Sequence, residues 1–302
     1  MAGQSSGQPG TPSRDRLKGL KIFVAGAAGG AVSRTATAPL DRMRMLLQVS
    51  ESRKLTLRQV STLMASEPGG ISAFFRGNLA NVAKIAPENA SKLMLYDAYK
   101  EALGKKQENI SPLEKLAGGA VCGGVAQTSV YPLETARTRL AVSNAGTYNG
   151  VAHCLASVAR NEGMKKLYAG VGPSVAGILP FAGVDMMVFE QLKSSLYDQY
   201  GHTSPPPYAI LAAGVGSSSV AQLVSYPLYL VRTRLQADGL QGRSKYTGVL
   251  SVVTRTASEE GVLAFWKGLT PNLIKLAPAA GISWAVVEES KRALGVAPSR
   301  GI

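Results

Sequence analysis

Six segments rich in apolar residues follow one another along the chain, separated by stretches with many basic and polar side chains. They cover residues 17–48, 78–104, 112–140, 172–199, 208–236 and 271–295. None is an uninterrupted run of about 18 apolar residues, which a lone helix surrounded by lipid would need. Each carries a polar stripe instead, so the pattern predicts six membrane helices that face lipid on one side and a wet interior on the other.

A short motif recurs near the end of every odd-numbered segment. It reads Pro-x-acid-x-x-base from Pro39 and from Pro132, and the copy from Pro227 has Tyr229 at the position of the acid. The copies lie 93 and 95 residues apart, and such a fixed period indicates repeated structural units. We therefore predict one integrated body of three repeats, residues 17–107, 108–202 and 203–302, after a disordered tail at residues 1–16.

Each of these prolines predicts a helix kink, because it removes a backbone hydrogen bond from the turn that contains it. The acid and the base that follow lie three residues apart and share one face of the next turn. Three kinked helices can therefore close a ring of ion pairs at one end of the bundle. We define this ring as the inner gate, and it consists of Asp41, Arg44, Glu134, Arg137, Tyr229 and Arg232.

Every even-numbered segment ends in a mirror motif, in which a base follows an acid after three residues. These motifs predict a second ring at the opposite end, the outer gate, which consists of Asp97, Lys100, Glu190, Lys193, Glu288 and Lys291. Between the odd and even segments of each repeat, a short amphipathic stretch precedes an acid–Gly pair and predicts a helix in the membrane interface. Two rings that close in turn are what alternating access requires.

Three positions share one level between the two gates. Lys84, Gly177 and Lys275 each lie 13 residues before the acid of the mirror motif, which places them about 20 Å from the outer gate at 1.5 Å per residue. The two lysines could snorkel to an interface, but their mid-helix positions favour a binding site for an anionic solute. Glu88 and Lys92 extend a stripe from Lys84 at intervals of four residues.

Several other polar residues also lie within the apolar segments, and the chain contains two cysteines. Arg34 lies five residues before its proline, at the position that Gln127 and Gln222 hold in the other repeats. Asp185 either contacts the solute or its magnesium ion, or it hydrogen-bonds to a neighbouring helix. The cysteines are too few for a disulfide framework, so we predict that both are packing residues, namely Cys122 and Cys154.

The composition narrows the class of protein. The 302 residues include 33 Lys and Arg against 19 Asp and Glu, a net charge of +14, which fits basic loops on one membrane side or attraction for an anion. A nucleic-acid-binding protein would not contain six apolar segments. A membrane enzyme would need a nucleophile or metal cluster, and the sequence has neither that nor a phosphate loop. We expect a carrier with no enzyme activity, no cofactor and no nucleic-acid partner.

The triplicated Pro-x-acid-x-x-base motif, together with the mirror motif, resembles the mitochondrial carrier family, solute carrier family 25, over residues 18–295. Within that family the chain is similar to the ATP-Mg/phosphate carriers at residues 33–42, 84–92, 180–185 and 225–234, and short adenine-nucleotide carriers are an equally good comparison. The family fold implies an all-α membrane protein. Its six transmembrane helices would form a three-fold pseudo-symmetric bundle, with two membrane helices and a short surface helix in each repeat.

The resemblance also implies a function. The protein would be a multi-pass carrier of the mitochondrial inner membrane, with a plastid inner membrane left open. It would exchange ATP-Mg, ADP or AMP for phosphate or another nucleotide, and coenzyme A or another nucleotide-like anion is the alternative cargo. Magnesium would travel with ATP, cardiolipin would be the lipid partner, and the carrier would be a monomer.

The family assigns roles to individual residues as well. Gly177 and Ile178 are similar to the pair that contacts adenine, while Lys84 and Lys275 match phosphate-binding positions. The implied substrate site consists of Arg34, Lys84, Glu88, Lys92, Gly177, Ile178, Asp185 and Lys275. Many ATP-Mg carriers have an N-terminal calcium-sensing domain, whereas these 302 residues contain no Asp-x-Asp-x-Asp-Gly loop, so we expect no calcium regulation within them.

In the family's scheme each gate acid pairs with the base of another repeat. The inner pairs would be Asp41–Arg137 and Glu134–Arg232, and Arg44 would face Tyr229, whose hydroxyl is neutral at physiological pH. The outer pairs would be Asp97–Lys193, Glu190–Lys291 and Glu288–Lys100. We therefore expect the closed inner gate to hold one ion pair fewer than the closed outer gate.

Overall fold

The computed structural model of the protein describes residues 12–51, 55–104, 111–201, 204–240 and 244–295. Within these ranges the backbone forms helices joined by turns, and none of it forms a β-strand. Helix α1 begins at Pro12, so residues 12–16, which we assigned to a disordered tail, belong to a helix. Residues 1–11 of that tail lie outside the described part of the chain.

Each repeat begins with a long helical segment, continues with a short helix, and ends with a second long segment. The first contains α1 (Pro12–Ala36), α2 (Ala38–Val49), α3 (Leu57–Ser66), α4 (Asn78–Ala83) and α5 (Ile85–Leu103). The second contains α6 (Pro112–Ser129), α7 (Tyr131–Val142), α8 (Val151–Asn161), α9 (Val171–Ala176) and α10 (Ile178–Tyr200). The third contains α11 (Pro207–Ala237), α12 (Val249–Arg255) and α13 (Leu269–Ala293). Short 3₁₀ turns lead into the even segments at Gly70–Phe75, Met164–Tyr168 and Val262–Trp266.

The long segments of the first two repeats are interrupted at matching places. Helices α1 and α2 are separated at Thr37, and α6 and α7 at Val130, just before the motif prolines. Helix α11, by contrast, continues through Pro227, so the break before the motif proline occurs in the first two repeats and not in the third. The even segments of the same two repeats are interrupted at Lys84 and at Gly177, two positions predicted to face the solute.

Adjacent repeats pack through their long helices. Helix α5 contacts α6, α10 contacts α11, and α1 contacts α13, which closes the ring of three repeats. Glycines permit close approach at these contacts. A Cβ on Gly118 would lie 2.2 Å from the ring of Tyr99, and one on Gly29 would lie 2.5 Å from Val287 Cγ2. Small residues are used in this way where helices pack inside a membrane.

The short helices pack against the odd segments. In the second repeat, Cys154 and Val158 of α8 are buried against Ala136 and Leu167. Cys122 is buried as well, and both thiols are free, as expected for packing residues. Burial raises the pKa of the Cys154 thiol to about 11, so this thiol stays protonated at neutral pH.

Two stretches of the described chain have the length and apolar composition to cross a membrane, Met164–Tyr200 and Pro207–Ala237. The other long helices do not meet the same test. This difference agrees with the polar stripes in the sequence, because helices that line a wet interior need an apolar surface on one side only.

Candidate functional site

The inner gate is closed in this structure, and Asp41 is one of its two centres. Asp41 accepts a hydrogen bond from Arg137 of α7 at 3.0 Å and another from Lys275 of α13. The Asp41 side chain is only 9% exposed, so these bonds are largely shielded from water. The predicted pair with Arg137 is therefore formed, and a lysine from the predicted solute level joins it.

Glu134 of α7 is the second centre. It forms ion pairs with Arg232 of α11 and with Lys84, and Arg137 of its own helix lies 3.7 Å away. The predicted pair with Arg232 is therefore formed too. Both gate acids follow one rule, since each holds an arginine from the next repeat and a lysine from an even segment.

The third interface, between the last and the first repeat, has no acid in the gate. Arg44 faces Tyr229 as predicted, with its guanidinium carbon 5.9 Å from the ring centre, and the ring of Tyr226 lies at 5.7 Å. The guanidinium also donates to Asn272 Oδ1 at 2.9 Å. A description of this gate by two ion pairs is therefore incomplete, because two aromatic faces and an amide oxygen hold the third base.

Bulky polar residues fill two of the three interfaces but not the first. The residues directly before the motif prolines are Ala38, Tyr131 and Tyr226, and those four positions after the gate bases are Gln48, Ala141 and Gln236. Where both alanines meet, between the first two repeats, a cavity of about 10 Å³ remains beside Asp41 and Arg137. Asn78 lines this cavity, and its buried Oδ1 has no hydrogen-bond partner among the described residues. This cavity lies where each of the other two interfaces has a tyrosine and a glutamine.

Three buried arginines anchor the gate to the acid–Gly elements. Arg42, Arg139 and Arg234 pair with Glu67, Glu162 and Glu260 respectively. From Nε they also donate to carbonyls at the end of the odd segment in the next repeat, namely those of Ala141, Gln236 and Gln48, at 2.9, 3.0 and 2.9 Å. A cation suits the carboxyl end of a helix. These arginines form no repeated motif in the sequence, because the first stands three residues after its proline and the other two stand seven after theirs.

A second set of bridges joins the repeats beside the same carboxyl ends. Arg76 and Lys267 each donate to a backbone carbonyl just beyond the odd helix of the next repeat. The second repeat has Ala169 at this position, and Lys166 replaces the missing base by bonding to Asp238 at 2.6 Å. Burial alone would raise the pKa of Asp238, but hydrogen bonds from Lys166, a serine hydroxyl and a backbone N–H outweigh it and hold that pKa below its ordinary value.

The predicted stripe of charges at the solute level exists. Glu88 accepts a hydrogen bond from Lys92 at 2.6 Å, and its other oxygen lies 3.4 Å from Lys84 Nζ. Lys92 is 44% exposed and Lys84 only 11%, so Lys92 is the more accessible of the two cations. The three side chains thus lead from an open position to Glu134 of the inner gate.

Arg34 is held by a contact that recurs in all three repeats. Its guanidinium donates to the backbone carbonyl of Asn81 at 2.8 Å. The matching residues make matching contacts between the odd and even segments of their own repeats, Gln127 with Ser174 at 2.7 Å and Gln222 with Asn272 at 3.0 Å. Only the first repeat places a cation here, and Asn81 lies three residues before Lys84, so Arg34 adds positive charge near the solute level.

The remaining predicted contacts lie on α10. Gly177 occupies the break before this helix, and Ile178 is its first residue. Further along, Asp185 accepts hydrogen bonds from Ser217 and Ser218 of α11, at 2.8 and 3.0 Å. These contacts match the helix-to-helix interpretation of Asp185, and its contact with a solute stays a prediction.

The outer gate is open. Asp97 pairs with Lys100 at 2.7 Å and Glu288 with Lys291 at 3.2 Å, in each case along one helix. Within the described ranges, the pairs predicted between repeats are not formed, namely Asp97–Lys193, Glu190–Lys291 and Glu288–Lys100. The side chain of Asp97 is 69% exposed. One gate shut and the other open is the arrangement that alternating access predicts.

The inner gate and the adjoining solute level together carry a strong positive charge. Among the described residues, seven basic side chains stand against three carboxylates, Asp41, Glu88 and Glu134, which leaves an excess of four positive charges. The basic residues are Arg34, Arg44, Lys84, Lys92, Arg137, Arg232 and Lys275. No group of three His, Cys, Asp or Glu in the described part is placed to hold a metal ion. The arrangement can therefore attract and hold a polyanion that enters through the open outer gate.

Comparisons with known proteins agree with this architecture. The family model described as mitochondrial carrier protein matches the chain three times, at residues 15–107, 108–200 and 203–297. The calcium-binding mitochondrial carrier protein SCaMC-2-B of Danio rerio is 43% identical over 278 residues, which are 91% of this chain and 59% of that relative. The mitochondrial adenyl nucleotide antiporter SLC25A24 is 42% identical over 278 residues in both Bos taurus and Homo sapiens. These residues are 91% of this chain and 58% of each of those relatives.

The chain thus spans a little under three-fifths of the length of these relatives. Three matches to one family model, along a chain whose described part is helical, confirm the prediction of a three-repeat helical bundle.

Proposed function

The chain belongs to the mitochondrial carrier family, and from that premise we propose that it exchanges adenine nucleotides for phosphate or another nucleotide across the mitochondrial inner membrane. Two relatives that are 42% identical over most of the chain are named as adenyl nucleotide antiporters, which supports this cargo. The observation that carries the proposal is that Lys84 and Lys275 each hold a carboxylate of the closed inner gate.

Phosphate oxygens compete with those carboxylates for the same two ammonium groups. A polyphosphate that enters from the open outer side makes charge-assisted hydrogen bonds of the same kind. If it takes Lys84 from Glu134 and Lys275 from Asp41, each acid keeps only its arginine partner. The inner gate is then weaker, so cargo binding and gate opening are coupled through the two lysines.

Other features at this level suit a nucleotide. Contact of an adenine ring with Gly177 and Ile178 follows from the family and belongs to the same proposal. A magnesium ion carried with ATP would be met by the carboxylate of Glu88, because Mg²⁺ accepts carboxylate and phosphate oxygens. Cardiolipin as the lipid partner and a monomeric carrier follow from the family and belong to the same proposal.

Uptake into liposomes tests the proposal. Purified carrier is reconstituted with internal ATP, and the uptake of labelled ATP, ADP, AMP, phosphate and coenzyme A is compared. We expect Lys84→Ala and Lys275→Ala to reduce nucleotide exchange about 10- to 150-fold, because each removes a charge-assisted contact worth about 1.5–3 kcal/mol. Lys165→Ala, which removes an exposed lysine elsewhere, is the matched control and should exchange normally.

Two results would argue against this function. Normal exchange in both Lys84→Ala and Lys275→Ala would show that the cargo does not bind at these cations. Uptake of coenzyme A in preference to every adenine nucleotide would replace the cargo by the alternative predicted from the family.

A further inference from the structure

Helix α11 contains a proline in its interior and nevertheless continues to Ala237. Pro227 has no backbone N–H, so the carbonyl of Leu223, four residues earlier, loses the donor that a helix normally provides. Leu223 is half exposed, and Val220 and Val224 beside it are exposed as well, so this face of the helix is turned toward lipid. Lipid offers no hydrogen-bond donor, and an unsatisfied carbonyl there is strongly unfavourable.

The side chain of Trp266 supplies the missing donor. Its indole Nε1–H donates to Leu223 O at 2.9 Å. Trp266 ends the 3₁₀ turn that precedes α13, so this hydrogen bond also ties the even segment of the third repeat to its odd segment. Neighbouring side chains are one of the means by which proline is tolerated in membrane helices.

The other two repeats lack this arrangement. Phe75 and Tyr168 stand at the matching positions, and a phenylalanine has no donor. The ring of Tyr168 instead stacks on Tyr131, with ring centres 6.3 Å apart. In both of these repeats the odd segment is interrupted just before its proline, at Thr37 and Val130. The one repeat that has an indole N–H is therefore the one whose helix continues across the proline.

The indole is close to the inner gate on two sides. Tyr229 and Arg232 follow Pro227 in the next two turns of α11, so their direction depends on the path of the helix at Pro227. The turn that carries Trp266 continues into Gly268, where a Cβ would lie 2.9 Å from the backbone oxygen of Arg44. A positive φ of 82° also favours glycine at this residue. Trp266 therefore ties to α11 a turn that also lies against the backbone of Arg44, the third base of the gate.

We propose that Trp266 is a positioning residue for the inner gate. Its indole N–H completes the helix at Pro227 and holds Tyr229 and Arg232 in the orientation of the shut state. This inference rests on the alternating gates of the proposed function but not on the identity of the cargo. Loss of the N–H should shift the protein away from the inner-shut state.

The test is a double-mutant cycle. Trp266→Phe removes the donor, and Pro227→Ala restores the backbone N–H that Leu223 O lacks. A single reporter cysteine, Ser91→Cys, lies one turn beyond Glu88 on a background without Cys122 and Cys154. Its labelling by a membrane-impermeant thiol reagent, applied from outside and from inside, gives the ratio of the two states without any cargo.

We expect Trp266→Phe to lower the ratio of inner-shut to inner-open protein about two- to tenfold, the effect of one hydrogen bond. In the Pro227→Ala background the same change should have no effect, since the carbonyl already has a donor. Equal effects in both backgrounds, or none in either, would overturn the proposal, because they assign Trp266 only a packing role or no role. If Trp266→Phe does not fold, 3-benzothienylalanine at this position, which replaces only the N–H by sulfur, gives the same comparison.

Discussion

The substitution Tyr229→Asp probes the interface of the inner gate that has no acid. In the structure, Arg44 lies against the rings of Tyr226 and Tyr229 and donates to Asn272. An aspartate would introduce a carboxylate about 5 Å from this guanidinium, an interaction of about 3 kcal/mol at an effective dielectric constant of 20. Against this stand the loss of one ring contact, about 0.5–2 kcal/mol, and the desolvation of a new charge.

With these two costs together at about 2 kcal/mol, the net gain is about 1 kcal/mol, which corresponds to about a fivefold shift toward the inner-shut state. The assay is thiol labelling of Ser91→Cys from outside, on a background without Cys122 and Cys154. Tyr229→Asn is the matched control, because it removes the ring without adding a charge. We expect labelling from outside to be faster in Tyr229→Asp than in the wild type, and slower in Tyr229→Asn.

Equal labelling of the two variants would refute this reasoning. It would mean that Asn272 and Tyr226 already satisfy Arg44, so that a new carboxylate adds nothing to the closed gate. Labelling of Tyr229→Asp below that of the wild type would show that desolvation of the carboxylate outweighs its attraction to Arg44.

Three further predictions follow from other sites. Chelation of magnesium should reduce ATP uptake more than ADP uptake if Glu88 helps to hold a metal–nucleotide complex, and equal uptake with and without chelator would indicate a carrier of free nucleotides. Ala141→Gln, which gives the first interface the glutamine that the others have, should slow exchange and raise outside labelling, whereas faster exchange would contradict a stabilising role. Lys166→Met should lower the thermal stability of the purified carrier at pH 7. Because the folded-state pKa of Asp238 is depressed, the difference from the wild type should be present above about pH 4 and vanish as the pH falls through that pKa; a constant difference would exclude this pair as its source.

Sequence reasoning was most successful where a repeat fixes the geometry. The motif written three times predicts the members of the inner gate. The family's scheme then implies the pairs Asp41–Arg137 and Glu134–Arg232, and the structure contains both. The triplication also identified the level of Lys84. It did not reveal that this lysine binds Glu134, because nothing in the spacing of one helix says how far a side chain reaches across the bundle.

Departures from the repeat were harder to interpret. The sequence showed that the gate has a tyrosine in place of its third acid, but only the structure showed the two rings and the amide that hold Arg44. Likewise, Ala169 interrupts a repeated basic position, and its replacement by Lys166 depends on where Asp238 lies at the end of α11. Such compensation needs partners that are close in space and distant in the chain.

The sequence by itself determined the number of repeats, the members of the inner gate and the shared level of Lys84, Gly177 and Lys275, because these follow from local periodicity and from a motif written three times. The tertiary structure alone decided which gate is shut and which distant groups meet. Lys275 contacts Asp41 across 234 residues, and Trp266 completes the helix of Leu223 across 43. Those contacts arise from the packing of long helices around a common axis, and periodicity along one chain contains no information on the partner that a neighbouring helix presents.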